Sequence, residues 1–269
     1  MGDVERIAAP LEPDGRSARY LPAWCAPLLR SGDEGDGLDA VEGSRLRGHV
    51  GGTMADMADL EPSFARNADA AAYYERGAEE YDDWYLGVGQ YAEYDRPEYH
   101  AEVSRLVGMV SGLTPARTLD VACGSGFLSR HLLGATVGLD RSPSMARLAR
   151  SRIPGSMVVL GDALRVPFAD RSFERVLTGH FYGHLGGDER DAFLSEASRV
   201  AGELVVVDAA LRPELVPELW EERLLNDGSR HRIYKRYFAA EQLADEIDGE
   251  TLMTGEWFVA ARASLPDRS

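Results

Sequence analysis

Three aspartates in this chain stand at or just past the ends of short apolar runs, and each has the type and position to hold part of a ligand that carries a nucleoside. Asp120 lies in Thr118-Leu-Asp-Val-Ala-Cys-Gly-Ser-Gly-Phe-Leu128, a strand-like run that breaks into a glycine turn. Gly124 and Gly126 allow a ligand to approach the backbone where a side chain would collide with it. Asp140 closes the next apolar run, Ala135-Thr-Val-Gly-Leu139, and a carboxylate there can accept both hydroxyls of a ribose. Asp162 follows a third run, in Gly161-Asp-Ala163, where it can accept from an exocyclic amine while the backbone at Ala163 reads the ring edge. The chemistry this describes is nucleoside binding at the carboxyl ends of parallel strands.

A G-x-G turn alone is a weak signal, because nicotinamide-binding folds use it too. A dinucleotide fingerprint wants a third glycine three residues after the second, and Ser129 stands there. A pyrophosphate also wants the turn free of competing negative charge, yet Asp120 precedes Gly124 closely. That carboxylate suits a cationic ligand, one carrying an amino group and a sulfonium.

From about Tyr74 to Arg262 the chain resembles the class I S-adenosylmethionine-dependent methyltransferases, and within them the small-molecule branch with the ubiquinone and menaquinone enzymes. The resemblance rests on Leu119–Gly126, Gly138-Leu-Asp-Arg-Ser-Pro-Ser-Met145, Gly161-Asp-Ala163 and Val166-Pro-Phe-Ala-Asp-Arg-Ser-Phe-Glu-Arg-Val176. It implies S-adenosyl-L-methionine as cofactor. Asp120, Cys123, Gly124 and Gly126 would wrap its methionine half, and Asp140 its ribose. Arg141 and Met145 would lie against the adenine, with Asp162 and Ala163 at its amine edge. Tyr81, in an Ala-x-x-Tyr-Asp pattern, would close over the cofactor. A protein that binds the cofactor without methylating, as a sensor or partner subunit, is the competing expectation. A nicotinamide oxidoreductase is a third.

Methylation of a hydroxyl or an ammonium requires removal of a proton. Leu177-Thr-Gly-His-Phe-Tyr-Gly-His-Leu185 supplies His180 and His184 as candidate bases and Tyr182 as a hydrogen-bonding group. The two histidines are not read as metal ligands, since no third ligand and no helical His-Glu-x-x-His context accompany them. The cationic segment Asp227–Phe238 reads mainly as a surface run paired with Glu214, Glu218, Glu221 and Glu222. Lys235 is set apart as the only lysine in the chain.

The elements that must position these residues alternate. Strands are expected at 117–121, 136–139, 157–160, 174–178 and 204–207, with helices at 127–133, after Ser142 and at 188–200. Ser142 and Pro143 are an N-cap and a first helical residue. Helices at 67–80 and 97–110 precede the first strand, and a helix at 240–247 leads into a closing hairpin at 250–253 and 256–261. The fold class is therefore α/β: a Rossmann-like seven-stranded sheet, mostly parallel with the last hairpin antiparallel, and helices on both faces. Residues 1–62 are expected to form a poorly ordered extension, rich in Gly, Pro, Asp and Glu, ahead of the methyltransferase domain at 63–269.

A net charge of −16 repels a phosphate backbone, which argues against nucleic acid as substrate. So does the lack of an Asn-Pro-Pro-Tyr-type sequence at Thr178–Tyr182. Two cysteines, Cys25 and Cys123, form no disulfide framework, and no apolar run is long enough for a membrane span. A small-molecule acceptor and a cytoplasmic setting are the resulting expectations, with natural-product or quinone tailoring by O- or N-methylation.

Overall fold

The computed structural model of the protein describes residues 62–92, 96–153, 155 and 157–266. The expected extension at 1–62 lies, except for Pro62, outside the described residues. Three helices come first: α1 (Ala68–Arg76), the single turn α2 (Asp83–Leu86) and α3 (Tyr99–Ser111). Then follow β1 (Thr118–Val121), β2 (Thr136–Asp140), α4 (Pro143–Arg152), β3 (Met157–Leu160), β4 (Arg175–Gly179), α5 (Gly187–Val200) and β5 (Glu203–Ala209). A hairpin of β6 (Glu218–Leu224) and β7 (Arg230–Arg236) precedes α6 (Ala240–Glu246), β8 (Glu250–Thr254) and β9 (Phe258–Ser264).

The seven-stranded sheet has the order β3-β2-β1-β4-β5-β9-β8, and β6-β7 form a separate two-stranded sheet. The pairs from β3 through β5 are parallel, while β9 runs antiparallel to both β5 and β8. The chain steps outward from β1 through β2 to β3, then returns to lay β4 on the other side of β1. The carboxyl ends of β1 and β4 therefore flank a topological switch point, where open α/β sheets bind ligands.

Sequence chemistry explains the elements. Ser142 caps α4 by accepting the Met145 N–H, with Pro143 entering the first turn. Asn67 caps α1 in the same way, accepting from Ala70. In β5, Leu204 and Val206 pack into one apolar cluster with α5 and α6, and Val205 and Val207 into a second cluster with α3. Burial on both faces is why that strand reads as a continuous apolar run.

Beyond shifts of one to three residues at strand ends, four readings differ from expectation. The helix expected at 67–80 ends at Gly77 and continues as a 3-10 turn. The helix expected from Pro97 begins at Tyr99, after Glu98 in a left-handed conformation. The helix expected at 127–133 is only a 3-10 turn at Ser129–His131. The β6-β7 hairpin stands where a cationic surface run paired with Glu218, Glu221 and Glu222 was read.

Candidate active site

A cavity of about 360 Å³ crosses the tips of β3, β2, β1 and β4. That volume lies within the range of about 300–1,000 Å³ common to small-molecule sites. Its walls include Asp162 and Ala163 after β3, Asp140, Arg141 and Met145 after β2, Ala122 and Gly124 after β1, and His180 and His184 after β4. A smaller recess beside it is lined by Asp120, Cys123, Gly124 and Ser125, and shares Tyr81 with the main cavity.

The glycine turn begins at Ala122, whose φ of 55° is left-handed, and Gly124 and Gly126 follow at 54° and 79°. The two glycines do different work. A Cβ on Gly124 would meet only the Tyr81 ring, at 3.7 Å, so this residue faces the ligand space. A Cβ on Gly126 would lie 3.0 Å from Ile153 Cγ1 and 3.2 Å from the Ala149 Cα, so this residue lets α4 pack against the turn. The Cys123 side chain joins Ala146, Ala149, Ile153 and Val158 in a small cluster, and burial pushes its thiol pKa up. Cys123 thus reaches the cavity side through its backbone.

Asp120 is buried beneath the turn and accepts a hydrogen bond from Ser129 Oγ. Ser129 therefore has a positive role, as donor to this carboxylate, in the place where a dinucleotide fingerprint would have glycine. Burial raises the Asp120 pKa to about 7, and nearby Asp140 adds to the effect. Asp140 draws the turn against β2: one carboxylate oxygen accepts the Gly124 N–H at 2.8 Å and the other the Ser142 N–H at 2.8 Å. Burial raises its pKa as well.

Met145 is buried on the cavity wall, and the Tyr81 ring covers Gly124. Asp162 lines the cavity while its Oδ1 accepts the Leu164 N–H, capping its own turn. Arg141 also lines the cavity, but its guanidinium donates to the Phe64 carbonyl at 3.1 Å and lies over the Phe64 ring. It braces the segment ahead of α1. Glu189 holds the same segment, accepting from Ser63 Oγ at 2.7 Å, the Phe64 N–H at 2.7 Å and the Ala65 N–H at 3.0 Å. Phe64 and Ala65 thereby become cavity wall.

The tip of β4 separates the three catalytic candidates. His180 has a left-handed φ of 58°, and its N–H donates to the Val207 carbonyl at 2.8 Å. Its imidazole stands edge-on to Trp84 and Tyr85, and Nε2 has no hydrogen-bond partner among the described residues. Burial lowers its pKa to about 3, against the attraction of Asp208 with Oδ1 3.9 Å from Nδ1. The ring is a weak base, and its Nε2 meets no group among the described residues that could hand it a proton. Tyr182 turns into the core against Phe193 and Phe238 and is not among the cavity-lining residues, because the 3-10 turn Tyr182–His184 points its ring toward α5. His184 does line the cavity, and its Nε2 lies 2.8 Å from Tyr74 Oη.

Several residues that brace the surroundings of the cavity carried no clear motif. Asp208, at the end of β5, is fully buried and accepts from the Gly183 N–H at 2.7 Å and from Lys235 Nζ. Burial works to raise its pKa, but Lys235 and His180 outweigh that and leave it lowered. Its signal was visible, since the run Leu204-Val-Val-Val207 ends in an acid just as the runs before Asp120 and Asp140 do. The lone lysine is thus a buried ion-pair partner, whereas Arg230 pairs with Glu222, and Arg236 with Glu246 and Glu218. Asp82 fixes the aromatic layer to the glycine turn through Ser125 Oγ at 2.5 Å and Arg152 Nη1 at 2.5 Å. Glu75 accepts from Ser142 Oγ, Ser144 Oγ and the Ser144 N–H at the start of α4.

These residues suit S-adenosylmethionine: a ribose-type carboxylate at β2, a backbone cradle at Gly124, and an acid in the recess that would face a cationic amino-acid end. A family model described as a methyltransferase domain matches residues 119–203. The chain is 31% identical over 112 residues to the demethylmenaquinone methyltransferase of Thermotoga maritima, covering 39% of this chain and 48% of that protein. It is 34% identical over 152 residues to the dTDP-3-amino-3,6-dideoxy-alpha-D-glucopyranose N,N-dimethyltransferase of Streptomyces fradiae, covering 54% and 57%. The chain thus spans about half the length of these curated relatives. Among solved structures, the DhpI–SAH complex shares the fold with a TM-score of 0.58 at 23% identity, covering 74% of this chain and 97% of that one. With this sheet order, the chain has the fold of the S-adenosylmethionine-dependent methyltransferases, and over residues 119–203 it is similar to a methyltransferase domain.

Proposed function

We propose that the protein transfers a methyl group from S-adenosylmethionine to a small-molecule acceptor. The carrying observation is one cavity that runs from Asp162 and Asp140 at the tips of β3 and β2 to His184 at the tip of β4. The bound cofactor supplies an electrophilic methyl carried on sulfonium. The chain's own residues position and desolvate: Asp140 holds the ribose hydroxyls, Asp162 and the Ala163 backbone the adenine edge, and Asp120 the amino-acid end. Met145 and Tyr81 enclose the nucleoside, while Phe64 and Phe181 keep the acceptor end dry. Holding reactants in line in a closed site can contribute about 7–11 kcal/mol toward the barrier.

The largely apolar walls and the net charge of −16 favour a small neutral or polar acceptor over nucleic acid. Tailoring of a quinone or a natural product is consistent with the names of the relatives, and a cytoplasmic setting with the free thiol of Cys123. Among the described residues no helix is long and apolar enough to cross a membrane.

Titration calorimetry with S-adenosylhomocysteine tests the reading. Binding at micromolar strength or better is expected. Asp140→Ala should weaken it by about 1.5–3 kcal/mol, the scale of hydrogen bonds to a charged group. Equal affinity of mutant and wild type would remove Asp140 from the ribose.

A further inference from the structure

His184 sits between two oxygens. Its Nδ1 lies 2.6 Å from the Tyr234 carbonyl oxygen, and its Nε2 lies 2.8 Å from Tyr74 Oη. A carbonyl only accepts, so Nδ1 carries the ring hydrogen. The ring is buried, and burial, with Lys235 and Arg223 nearby, holds its pKa well below the usual imidazole range. Nε2 is then a bare lone pair, and Tyr74 must donate its hydroxyl hydrogen to it. Arg223 Nη1, 3.4 Å away, occupies one side of the Tyr74 oxygen. What Tyr74 has left, on a residue that lines the cavity, is a hydrogen-bond acceptor.

We propose that the Tyr234 carbonyl, His184 and Tyr74 form a one-way hydrogen-bond chain whose open end, the Tyr74 oxygen, receives the proton of a hydroxyl acceptor, so that the methyl goes to oxygen. This rests on the methyl-transfer reading above. It makes Tyr74 a catalytic residue and His184 a positioning residue that acts through it. The acceptor oxygen gains the methyl and loses its proton to Tyr74 Oη. The Tyr74 proton moves to His184 Nε2, and the electron pair of the broken carbon–sulfur bond stays on sulfur. The positive charge that leaves the sulfonium reappears on the imidazole and is released to solvent with the product.

The chemistry separates hydroxyls from amines. An aliphatic amine near neutrality is an ammonium with a pKa on the order of 10, and it must lose a proton before it can attack. A buried imidazole of lowered proton affinity, with cationic Lys235 on β7 and Arg223 on β6 around it, does not remove that proton. A hydroxyl loses its proton as the new bond forms, when its oxygen has become strongly acidic, and a weak base then suffices. The other titratable groups nearby include His180 at the same tip, Tyr73 and Tyr81 against Tyr74, Glu221, which pairs with Arg223, and Asp208, which pairs with Lys235. Burial also raises the Tyr74 pKa, so the phenol stays protonated until it hands its hydrogen on.

The first test needs no acceptor. In full-length protein labelled with ¹⁵N-histidine and saturated with S-adenosylhomocysteine, His184 should appear as the neutral Nδ1–H tautomer at pH 7. An Nε2–H tautomer, or an imidazolium, would overturn the chain of hydrogen bonds. The second test pairs matched aliphatic probes, 2-phenylethanol with 2-phenylethylamine among others, and follows S-adenosylhomocysteine formation. Transfer to the hydroxyl member should be at least tenfold faster. Tyr74→Phe should lower kcat on hydroxyls at least tenfold with KM changed less than threefold. His184→Gln, which can still accept from Tyr74, should keep the melting temperature and lose turnover. Faster transfer to nitrogen, or full turnover in Tyr74→Phe, would overturn the proposal. Failure of S-adenosylhomocysteine to bind at all would instead defeat the underlying methyl-transfer reading.

Discussion

Asp120 is buried beneath the glycine turn with Ser129 as its hydrogen-bond donor, and burial carries its pKa from 3.8 to about 7. Near neutrality the free protein therefore holds this carboxyl partly protonated. A cationic amino group seated in the recess favours the ionised form, so ligand binding expels a proton below about pH 7. Affinity for S-adenosylhomocysteine should rise by up to about tenfold per pH unit from pH 5.5 toward 7 and then level off. The stability contribution has the opposite direction. The folded state keeps a proton that the unfolded chain has released, so Asp120 makes stability fall as pH rises from about 4 to about 7, with no further change above. Ser129→Ala removes the donor and should move the affinity curve to higher pH. Calorimetry at pH 6 and 7.5, in two buffers of different ionisation enthalpy, reads both the affinity and the proton released. A flat affinity with no proton release would leave Asp120 with a structural role alone. The sequence singled out Asp120 but read Ser129 only as a missing glycine, because its bond to Asp120 forms when the 3-10 turn folds the hydroxyl back beneath β1.

The turn between β1 and the 3-10 segment joins two tasks that its two glycines divide. Gly124→Ala adds left-handed strain, at about 1–2 kcal/mol for a residue with a Cβ, but that Cβ meets only Tyr81 at 3.7 Å. Gly126→Ala adds the same strain and drives its Cβ to 3.2 Å from the Ala149 Cα, which belongs to the backbone of α4 and cannot rotate away. Urea unfolding should show Gly126→Ala losing about 2–4 kcal/mol and Gly124→Ala about 1–2. Calorimetry on the same proteins should show Gly124→Ala losing more cofactor affinity than Gly126→Ala. Equal losses in both measurements would mean the division does not hold. The G-x-G spacing was plain in the sequence, but its division was not, since it depends on where α4 puts Ala149 and Ile153. The hairpin of β6 and β7 escaped for a related reason. Inward positions on β7 include His231 and Lys235, so the strand lacks an apolar alternation, although Asn226-Asp-Gly228, with Gly228 at a φ of 81°, carried a turn signal.

Across the whole molecule the cavity is closed by segments far apart in the chain. Phe64 lies ahead of α1, Tyr74 and Tyr81 belong to the N-terminal helical layer, and the rest comes from four strand tips. The strand tips were legible because Asp120, Asp140 and Asp162 each stand at or just past the end of an apolar run. The acceptor walls were not, because Phe64, Tyr74 and His184 meet only after α1 packs on β7 and Glu189 holds the segment before it. A ligand touching all of these ties the layers together, and its binding free energy must appear as added stability of the folded state. At a concentration of 100 times Kd that gain is about 2.7 kcal/mol. With about 2–4 °C per kcal/mol for a domain of 150–250 residues, S-adenosylhomocysteine should raise the melting temperature by roughly 5–11 °C. Asp140→Ala at the same ligand concentration should show a much smaller rise, since Kd itself has increased. NADH at equal concentration should give none: Ser129 fills the third-glycine position and Asp120 lies under the turn where a pyrophosphate would sit. A shift with NADH and none with S-adenosylhomocysteine would reassign the pocket to dinucleotide chemistry.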